Sequence, residues 1–428
     1  MYGTAFFSKK DLESHLARLE EAKKRDHRRL GRDLELFSFH DEGPGFAFMH
    51  PAGMVVLNSM LDYWREVHRE AGYVEVRTPI ILSEALWHQS GHWDHYREAM
   101  YFTEIDEAPY AVKPMNCPGG LLIYNDRPHS YRELPMRVAE LGLVHRHEKS
   151  GVLHGLLRVR QFTQDDAHIF CLPEQLTDEV VGVIDVIDRM YRTFGFEDVR
   201  LELSTRPEQS IGTDEQWEMA TGALREAMKR RDIRYKVNEG EGAFYAPKID
   251  YHIRDCLGRS WQCGTIQVDL AMPERFDLTY VGPDNQEHRP VMVHRAVLGS
   301  IERFLGILIE HYGGDFPLWL APVQAAVLPV SERAAGYGRG VAEGLRGAGL
   351  RAELDDTSDK VGAKIRRATL RKVPYMLIVG ENEASAGTVS VRHKTVGDMG
   401  TESTEAFLRR ATEEVRERRL APRAAPAA

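Results

Sequence analysis

The chain has few cysteines and no long hydrophobic run. Its four cysteines form no CxxC pair and no regular framework, which fits a reducing compartment better than a disulfide scaffold. No apolar stretch approaches the ~20 residues that a membrane-spanning helix requires. Residues 1–10 contain no apolar segment typical of a secretion signal. We therefore predict a cytoplasmic protein with no membrane partner.

Excess positive charge and the common nucleotide-binding signatures are also missing. The formal net charge is -9, which argues against indiscriminate nucleic-acid binding, although a local basic patch can coexist with an acidic total. We expect no DNA partner. No GxxxxGK(S/T) motif occurs, so ATP, if bound, is not held by a P-loop. Residues 336–340, GYGRG, lack the GxGxxG spacing and lie within a predicted helix, so they do not indicate a dinucleotide site.

Residues 143–170 contain polar side chains where a strand pattern would normally place apolar ones. A strand predicted over residues 156–170 puts these six side chains on one face: Arg158, Arg160, Phe162, Gln164, Asp166 and His168. Burying such polar groups costs about a few kcal/mol each unless they are paired. The face is either solvated or the floor of a polar ligand site. Phe162 and His168 favour the ligand site because they suit a solvated face poorly.

Apolar periodicity predicts the elements of the first three quarters of the chain. Residues 8–31 read as one charged helical segment with a capping-box-like start, a helix that runs toward Leu30 until Gly31 interrupts the pattern. A second helix is predicted over residues 54–71 and a strand over residues 73–82. Strand-like runs between residues 199 and 293, with one helix near residues 215–231, indicate an α+β domain built on an antiparallel sheet.

The pattern changes at residues 313–317, GGDFP, which break the preceding helix. We predict one domain over residues 1–316, a second over residues 317–420, and a disordered Pro/Ala tail over residues 421–428. Alternating β and α elements indicate a small α/β second domain. Its predicted strands cover residues 323–330, 350–354, 375–380 and 388–392. Three helices are predicted: one follows the first strand and ends at residue 348, and the others cover residues 361–371 and 405–419.

Eight stretches closely resemble motifs of one enzyme family. They are KPMNCPG at 113–119, HRHEKSG at 145–151, LLRVRQFTQDDAHIF at 156–170, STRPEQSIG at 204–212, EGAFYAPKID at 241–250, WQCGTIQVD at 261–269, HRAVLGSIERF at 294–304 and RKVPYMLIVG at 371–380. These stretches resemble class II aminoacyl-tRNA synthetases and, within that class, the threonyl-tRNA synthetase family. The resemblance covers essentially the whole chain.

The resemblance implies a class II synthetase catalytic domain followed by an anticodon-binding domain, without the N-terminal editing region of longer relatives. The helix and strand over residues 54–82 resemble motif 1, whose proline, here Pro79, lies at a dimer interface, so a homodimer is implied. The implied activity is that of a threonine–tRNA ligase, which joins L-threonine and ATP into threonyl-adenylate and transfers the threonyl group to the 3′ end of threonine tRNA. The alternative is a catalytically silent paralogue that binds RNA for regulation.

Two arginines are the main candidates for catalytic residues. Fixed guanidinium groups stabilise charge that develops on phosphates, because they are planar, permanently charged donors. Arg146 resembles the motif 2 arginine that holds the α-phosphate and the substrate carboxylate. Arg303 resembles the motif 3 arginine that binds the γ-phosphate. For either residue the alternative is a surface salt bridge. By resemblance, Glu148 reads the adenine amino group, Arg158 contacts the triphosphate, and Phe162 stacks on adenine unless it is simple core packing. Mg²⁺ is the implied counterion of ATP.

Cys117, His168 and His294 are far apart in sequence, and their spacing alone does not suggest a metal. Each occupies the position of a zinc ligand in the resembled family. One thiolate and two imidazoles suit a single Zn²⁺ and leave coordination positions open. The resemblance implies that this metal holds the amino group and hydroxyl of threonine, in a pocket that also contains Gln164, Asp166, Tyr245 and Gln262.

Two further positions adjoin this implied site. His92, in GHWDHY, resembles the histidine that assists transfer to tRNA. Gly120 departs from the family, which usually has histidine after CPG, and its lost imidazole would change the surroundings of the metal. Retention of the complete set of Arg146, Arg303, Cys117, His168 and His294 argues against the silent paralogue.

A basic run, KIRRATLRK at residues 364–372, lies in the predicted second domain. By itself this run fits a solvated helix face. The resemblance to an anticodon-binding domain favours RNA contact instead. By position, the residues that match anticodon readers are Lys360, Arg366, Glu383 and Arg392.

Overall fold

The computed structural model describes residues 4–255 and 258–420. The elements up to residue 312 are α1 Lys9–Arg25, α2 His27–Asp33, β1 Phe37–Ser38, β2 Phe48–Met49, α3 Pro51–Glu70, β3 Val74–Glu75, β4 Ile81–Ser83, α4 Glu84–Gln89, α5 His92–Tyr96, β5 Tyr101–Ile105, β6 Ala108–Val112, α6 Cys117–Tyr124, β7 Met136–His145, β8 Gln161–Cys171, α7 Leu176–Thr193, β9 Val199–Ser204, α8 Asp214–Arg230, β10 Tyr235–Asn238, β11 Lys248–Arg254, β12 Ser260–Asp269, α9 Met272–Arg275, β13 Tyr280–Val281, β14 Glu287–His288, β15 Val291–Ser300 and α10 Ile301–Tyr312. Later elements are β16 Ala325–Pro329, α11 Glu332–Gly347, β17 Ala352–Leu354, α12 Val361–Leu370, β18 Tyr375–Val379, α13 Glu381–Ala386, β19 Thr388–His393, β20 Gly397–Ser403 and α14 Thr404–Arg416.

An eight-stranded sheet forms the centre of the first part within the described residues. Its strand order is β10-β9-β11-β12-β15-β8-β7-β3, and all neighbours are antiparallel except the outer pairs β10/β9 and β3/β7. The predicted antiparallel sheet is therefore confirmed. In β11, Ile249, Tyr251 and Ile253 enter the hydrophobic core shared with α7 and α8, whereas Lys248 lines a cavity on the opposite, front face.

The N-terminal helical segment consists of two helices rather than one. Asp26 interrupts it with a non-helical ψ of 118°, and α2 begins at the next residue. The Asp26 carboxylate accepts the Arg28 backbone N–H at 2.9 Å, which caps the new helix. The prediction of one continuous helix over residues 8–31 is wrong for this reason.

Two predicted strands are shorter than their apolar patterns suggest. β8 begins at Gln161 because Gly155–Leu157 forms a 3₁₀ turn, so Arg158 and Arg160 precede the strand instead of lying on its polar face. The strand predicted over residues 73–82 is two short strands, β3 and β4, which belong to different sheets. In both regions tertiary contacts restrict the extended conformation to fewer residues than the pattern indicates.

The second part is a small mixed α/β unit, as predicted. Its five strands follow the order β17-β16-β18-β19-β20, with parallel pairing around β16 and antiparallel pairing from β18 to β20. Ala325 and Val327 of β16 face a core with α11 and α14, and Ala326 and Leu328 face a second core with α12. Helices therefore cover both faces of this sheet. Neither α13 nor β20 was predicted.

Some expectations concern residues that the structure does not describe, including the tail over residues 421–428 and one of the four cysteines, Cys256. Within residues 4–255 and 258–420, no helix is both long enough and apolar enough to cross a membrane.

Candidate active site

A cavity of about 520 Å³ opens on the front face of the eight-stranded sheet, opposite α7 and α8. The predicted site residues that line it are His92, Cys117, Arg146, Glu148, Arg158, Phe162, Gln164, Asp166, Tyr245, Gln262, His294 and Arg303. His168 is buried close to two of them, Cys117 and His294. Residues from distant stretches of the chain therefore meet in one place.

Arg146 follows the end of β7 and is held from two sides. Its Nε donates to the Pro114 carbonyl at 3.1 Å. Its guanidinium carbon lies 5.0 Å from the ring centroid of Phe162 and 5.5 Å from that of Tyr96. These contacts restrict a long side chain to one orientation beside an aromatic face. Tyr96 was not predicted, and its place in the WDHY stretch offered no signal beyond an aromatic near His92.

Arg303 lies in the first turn of α10, where the Ser300 hydroxyl accepts its backbone N–H at 3.1 Å. Its Nε donates to the Leu157 carbonyl at 3.0 Å, and its Nη1 donates to the Gln262 carbonyl at 2.9 Å. These bonds use two of five guanidinium N–H donors and leave others for an anionic ligand. Burial lowers the pKa of Arg303, and the nearby charge of Arg158 adds to this effect, so an anion there would be favoured.

A break near the end of β15 sets the start of α10. The pairing of β15 with β8 loses register between residues 296 and 300. The buried Asp165 carboxylate accepts the N–H groups released there, at 3.0, 2.8 and 2.7 Å, from Val297, Leu298 and Gly299. Gly299 has φ +75°, and a Cβ there would lie 2.4 Å from the Cys263 carbonyl oxygen. Asp165 was not predicted, although an acidic residue on the strand face opposite the polar one was its signal.

Arg158, Glu148 and Phe162 form the mouth of the cavity. The Arg158 Nε and a Glu148 carboxylate oxygen are 3.5 Å apart, and both groups are partly solvated. The Phe162 ring is half-buried rather than enclosed in the core, so simple core packing does not describe it. This edge therefore offers an aromatic face next to one cation and one anion.

Cys117, His168 and His294, called the metal-ligand cluster below, lie at the floor of the cavity. One potential ligand atom from each falls within 4.8 Å of the others. His168 and His294 are directly opposite each other in the β8/β15 register, and Cys117 is the first residue of α6. The pairing of two strands thus brings together two imidazoles that are distant in sequence.

The chemistry of the metal-ligand cluster fits zinc. Burial lowers the pKa of His168, which keeps the imidazole neutral as a metal ligand must be. Its Nε2 is buried and has no hydrogen-bond partner among residues 4–255 and 258–420. Burial, with the nearby carboxylates of Asp166 and Asp269, raises the pKa of the Cys117 thiol, so a bound cation would be needed to favour the thiolate form that ligates zinc. The Asp269 carboxylate also lies 2.8 Å from His294 Nε2, as a carboxylate orienting a ligating imidazole does.

The remaining predicted pocket residues surround this floor. Asp166 is buried and lies 3.4 Å from the Asn116 amide nitrogen, while the buried Gln164 Oε1 has no partner among the described residues. The Tyr245 hydroxyl donates to the Gln267 Oε1 at 2.9 Å. The Gln262 Nε2 donates to Asp250 at 2.5 Å and to Thr265 at 2.7 Å, so its amide is already fixed within the protein.

His92 and Gly120 lie beside the same cavity. His92 is buried, with Nδ1 2.8 Å from the Ser90 hydroxyl and Nε2 2.9 Å from the Met115 sulfur. A Cβ on Gly120 would lie 3.5 Å from His168 Nδ1, which is an ordinary contact. The position that departs from the family pattern is therefore next to the metal-ligand cluster.

The four predicted anticodon residues lie in the second part, away from this cavity. Lys360, Arg366 and Arg392 are exposed. Glu383 is half-buried, and its carboxylate accepts the Gly380 N–H at 2.8 Å and the Ser390 hydroxyl at 2.9 Å. These bonds give Glu383 a structural role at the start of α13.

Much of the basic run over residues 364–372 is neutralised within the chain. Lys364 is buried and donates to two backbone carbonyls. Arg367 pairs with Asp355 and Asp359, and Arg371 pairs with Glu353. The concentration of positive charge read from the sequence is therefore smaller on the folded surface.

Two known domain families match the chain. Residues 101–312 match the tRNA synthetase class II core domain (G, H, P, S and T), and residues 324–414 match the anticodon binding domain. The antiparallel sheet with its arginine-lined cavity agrees with the first match. Fold and site together define a class II aminoacyl-tRNA synthetase core joined to an anticodon-binding domain.

Individual relatives narrow this class. The chain is 60% identical over 418 residues to the threonine–tRNA ligase of Clostridium acetobutylicum, covering 98% of this chain and 66% of that protein. It is also 60% identical over 419 residues to that of Carboxydothermus hydrogenoformans, with the same coverage. The fold resembles the RNA binding domain of threonyl-tRNA synthetase from Cryptosporidium parvum Iowa II, with a TM-score of 0.86 and 42% identity over 91% of this chain and 98% of that one. The chain belongs to the threonyl-tRNA synthetase family, and it spans 66% of the length of these curated relatives.

Proposed function

We propose that the chain acts as a threonine–tRNA ligase, activating L-threonine with ATP and transferring it to threonine tRNA. One observation carries this proposal: Arg146, Arg158 and Arg303 line a single cavity whose floor holds the metal-ligand cluster. Permanent cations suit a triphosphate, and a thiol with two imidazoles suits a metal that binds a small polar amino acid.

In the first proposed step, an oxygen of the threonine carboxylate attacks the α-phosphorus of ATP and the bond to pyrophosphate breaks. Arg146 stabilises charge on the α-phosphate and the attacking carboxylate, and Arg303 and Arg158 hold the leaving phosphates. Phe162 offers its half-buried ring to adenine and Glu148 accepts from the adenine amino group. Mg²⁺ accompanies ATP as its counterion.

Threonine is proposed to bind above the metal-ligand cluster. Cys117, His168 and His294 would hold Zn²⁺, which would supply a Lewis acid for the amino group and the side-chain hydroxyl of threonine. The carboxylate of Asp166 and the amide oxygen of Gln164 line the cavity, and both are proposed to accept hydrogen bonds from the substrate. Tyr245 and Gln262, both held by side chains of the sheet, shape the remaining wall.

In the second proposed step, a hydroxyl of the 3′-terminal adenosine attacks the threonyl carbonyl carbon and AMP leaves. His92 is proposed to assist at the cavity edge. The unit over residues 317–420 is proposed to read the anticodon through Lys360, Arg366 and Arg392, which are exposed. Glu383 would act there mainly by holding the backbone, given its bonds to Gly380 and Ser390.

A homodimer and a cytoplasmic location are also proposed. The sheet ends at β3, an edge strand whose Val74 is 59% exposed. An open strand edge is a suitable surface for a second copy of the chain. The few cysteines fit a reducing compartment.

Threonine-dependent ATP–pyrophosphate exchange tests the proposed function. Zinc-loaded, folded protein should exchange labelled pyrophosphate into ATP when threonine is present, and should do so poorly with valine. A silent paralogue that binds RNA would keep tRNA affinity and show no exchange. That result would replace the proposed activity with a regulatory role.

A further inference from the structure

A fully buried histidine connects helix α2 to the cavity. His27 is 0% exposed. Its Nε2 lies 3.1 Å from the Leu156 backbone N–H, which can only donate, so this nitrogen carries a lone pair. The proton of the neutral ring is therefore on Nδ1, which donates to the Glu310 carboxylate at 2.7 Å. Both ring nitrogens are used within the protein.

Asp26, His27 and Glu310 have potential ligand atoms within 4.8 Å of one another, a spacing that a metal ion could use. Both imidazole nitrogens already form hydrogen bonds. The Asp26 carboxylate pairs with Arg28 at 2.6 Å and caps α2. These bonds identify the cluster as a structural connection and not as an ion site.

The imidazole fixes the 3₁₀ turn Gly155–Leu157 at close range. A Cβ on Gly155 would lie 2.2 Å from His27 Nε2, and the φ of this glycine is +50°. On its other side the turn packs against α10, where a Cβ on Gly306 would lie 3.1 Å from the Leu157 side chain. The turn is therefore held between His27 and α10, and the packing leaves little space for a larger side chain at Gly155 or Gly306.

The same turn holds the guanidinium group of Arg303. The Leu157 carbonyl accepts from Arg303 Nε at 3.0 Å, one residue after the N–H that His27 accepts. Arg303 and Glu310 both belong to α10. The hydrogen bonds therefore connect two residues of α10 to each other. Glu310 bonds to His27, His27 bonds to the turn, and the turn bonds to Arg303.

We propose that His27 is a positioning residue for Arg303, and hence for the phosphates of ATP; this rests on the proposed function of Arg303. His27 lies outside residues 101–312, which match the catalytic core family. Without the Nε2 contact the turn can shift, and the Leu157 carbonyl no longer fixes the arginine. A hydrogen bond to a charged group is worth roughly 1.5–3 kcal/mol, so loosening one that orients Arg303 on the phosphates should cost about tenfold to a hundredfold in ATP affinity.

Two substitutions separate the two hydrogen bonds of His27. In His27→Asn the amide nitrogen takes the place of Nδ1, so the bond to Glu310 is kept and the bond to Leu156 is lost. In His27→Gln the amide reaches the place of Nε2, so its oxygen can accept from Leu156 while the bond to Glu310 is lost. Each variant keeps one bond, which limits the loss of stability.

The affinities for ATP and for threonine are measured by calorimetry on the zinc-loaded protein, with the melting temperature recorded for each variant. We expect His27→Asn to weaken ATP binding about tenfold and to leave threonine binding unchanged, and His27→Gln to bind ATP nearly as the parent does. If both variants lose both ligands in proportion to their melting temperatures, His27 is only a structural residue and the proposal is wrong. Unchanged ATP affinity in a folded His27→Asn protein would also show that the proposal is wrong.

A double-mutant cycle with Arg303→Gln tests whether His27 acts through Arg303. We expect the double variant His27→Asn/Arg303→Gln to bind ATP no more weakly than Arg303→Gln alone. Losses that add would overturn the proposal. If Arg303→Gln by itself leaves ATP affinity unchanged, the proposed function of Arg303 fails, and this outcome is distinct from any failure of His27.

Discussion

At the residue scale, the chemistry of Arg303 depends on the backbone carbonyls that hold it. The carbonyls of Leu157 and Gln262 accept two of its donors, and the Ser300 cap fixes the helix turn on which it stands. An arginine held in this way loses little conformational entropy when a phosphate binds. Its role is therefore separable from the stability of the fold.

Arg303→Ala should reduce threonine-dependent pyrophosphate exchange by about a hundredfold to a thousandfold, because a preorganised cation worth about 2.7–4 kcal/mol to the transition state is removed. Circular dichroism and the melting temperature should change little. Arg333→Ala, at an arginine whose side chain is 83% exposed, is the matched control and should be fully active. Near-normal exchange in Arg303→Ala would remove this residue from the site.

Selectivity between threonine, valine and serine should follow the chemistry of the metal-ligand cluster. Valine has no hydroxyl, and a site built to bind one can reject such an analogue by about 10⁴ or more. Serine keeps the hydroxyl and lacks a methyl group, a difference of roughly 1–3 kcal/mol. We therefore predict measurable seryl-tRNA formation by this chain and negligible valyl-tRNA formation.

Cys117→Ser and His168→Ala should each lose bound zinc, and with it both threonine activation and the rejection of valine. Metal analysis by atomic emission is run beside charging assays with the three amino acids. Cys171→Ser, at a buried cysteine outside the cluster, is the control and should retain about one zinc per chain. Active protein without zinc, or serine rejected as strongly as valine, would contradict the proposed pocket.

At the element scale, helix α3 combines a buried apolar stripe with one buried histidine. His68 stacks on Trp64, with ring centroids 3.8 Å apart, and its Nδ1 lies 2.6 Å from the Trp64 carbonyl. Burial, together with the charge of Arg295, lowers the pKa of His68 to about 2. The residue is therefore neutral in the folded protein at any pH in ordinary use.

This histidine should make the protein less stable as pH falls. Below its unfolded pKa of about 6.5 the unfolded chain binds a proton that the folded chain does not, so the stability present above pH 6.5 declines on acidification. The expected loss between pH 6.5 and 5 is about 2 kcal/mol, at about 1.4 kcal/mol per pH unit. His68→Phe keeps the aromatic stack and should show a smaller decrease.

Urea unfolding of the parent and His68→Phe proteins at pH 7.5 and 5.0 measures this difference. His147→Phe, at an exposed histidine, is the matched control and should retain the parent's pH dependence. An identical decrease in the parent and His68→Phe proteins would show that His68 is protonated in the folded state or does not contribute.

At the scale of the whole molecule, side-chain contacts join the second unit, residues 317–420, to the part of the chain before it. Arg418, beyond α14, pairs with Glu66 on α3 at 3.0 Å, and its guanidinium carbon lies 4.4 Å from the Tyr63 ring centroid. Lys394 pairs with Asp315 at 3.3 Å. Trp319, which follows the predicted boundary at residue 316, still packs in the core of the first sheet. A truncation should therefore keep the chain through Val323.

A chain that ends after Val323 should retain threonine-dependent pyrophosphate exchange within about tenfold but lose tRNA charging by about a hundredfold or more. The reason is that several RNA contacts, each worth roughly 1–3 kcal/mol, would be removed while the cavity stays intact. Arg418→Ala in the full chain controls for the lost contact with α3. Equal charging by the truncated and full chains would show that the second unit does not recognise tRNA.

The sequence alone predicted the fold class and twelve of the residues that line the cavity. Period-two and helical patterns predicted the antiparallel sheet and the α/β second unit, because burial imposes those periods locally. The resemblance of the motifs to the synthetase family, and not their spacing, singled out Arg146, Arg303 and the metal-ligand cluster. Their roles in catalysis stay predictions, whereas the class II fold and the family are confirmed.

Only the tertiary structure decided which of these residues meet and what holds them. The β8/β15 register places His168 opposite His294, the bulge after residue 296 gives its N–H groups to Asp165, and His27 reaches the turn beside Arg303. The tertiary structure also delayed the start of β8 to Gln161 and split the N-terminal helix at Asp26. Such contacts join residues more than a hundred positions apart, and a local pattern carries no information about register or packing between distant segments.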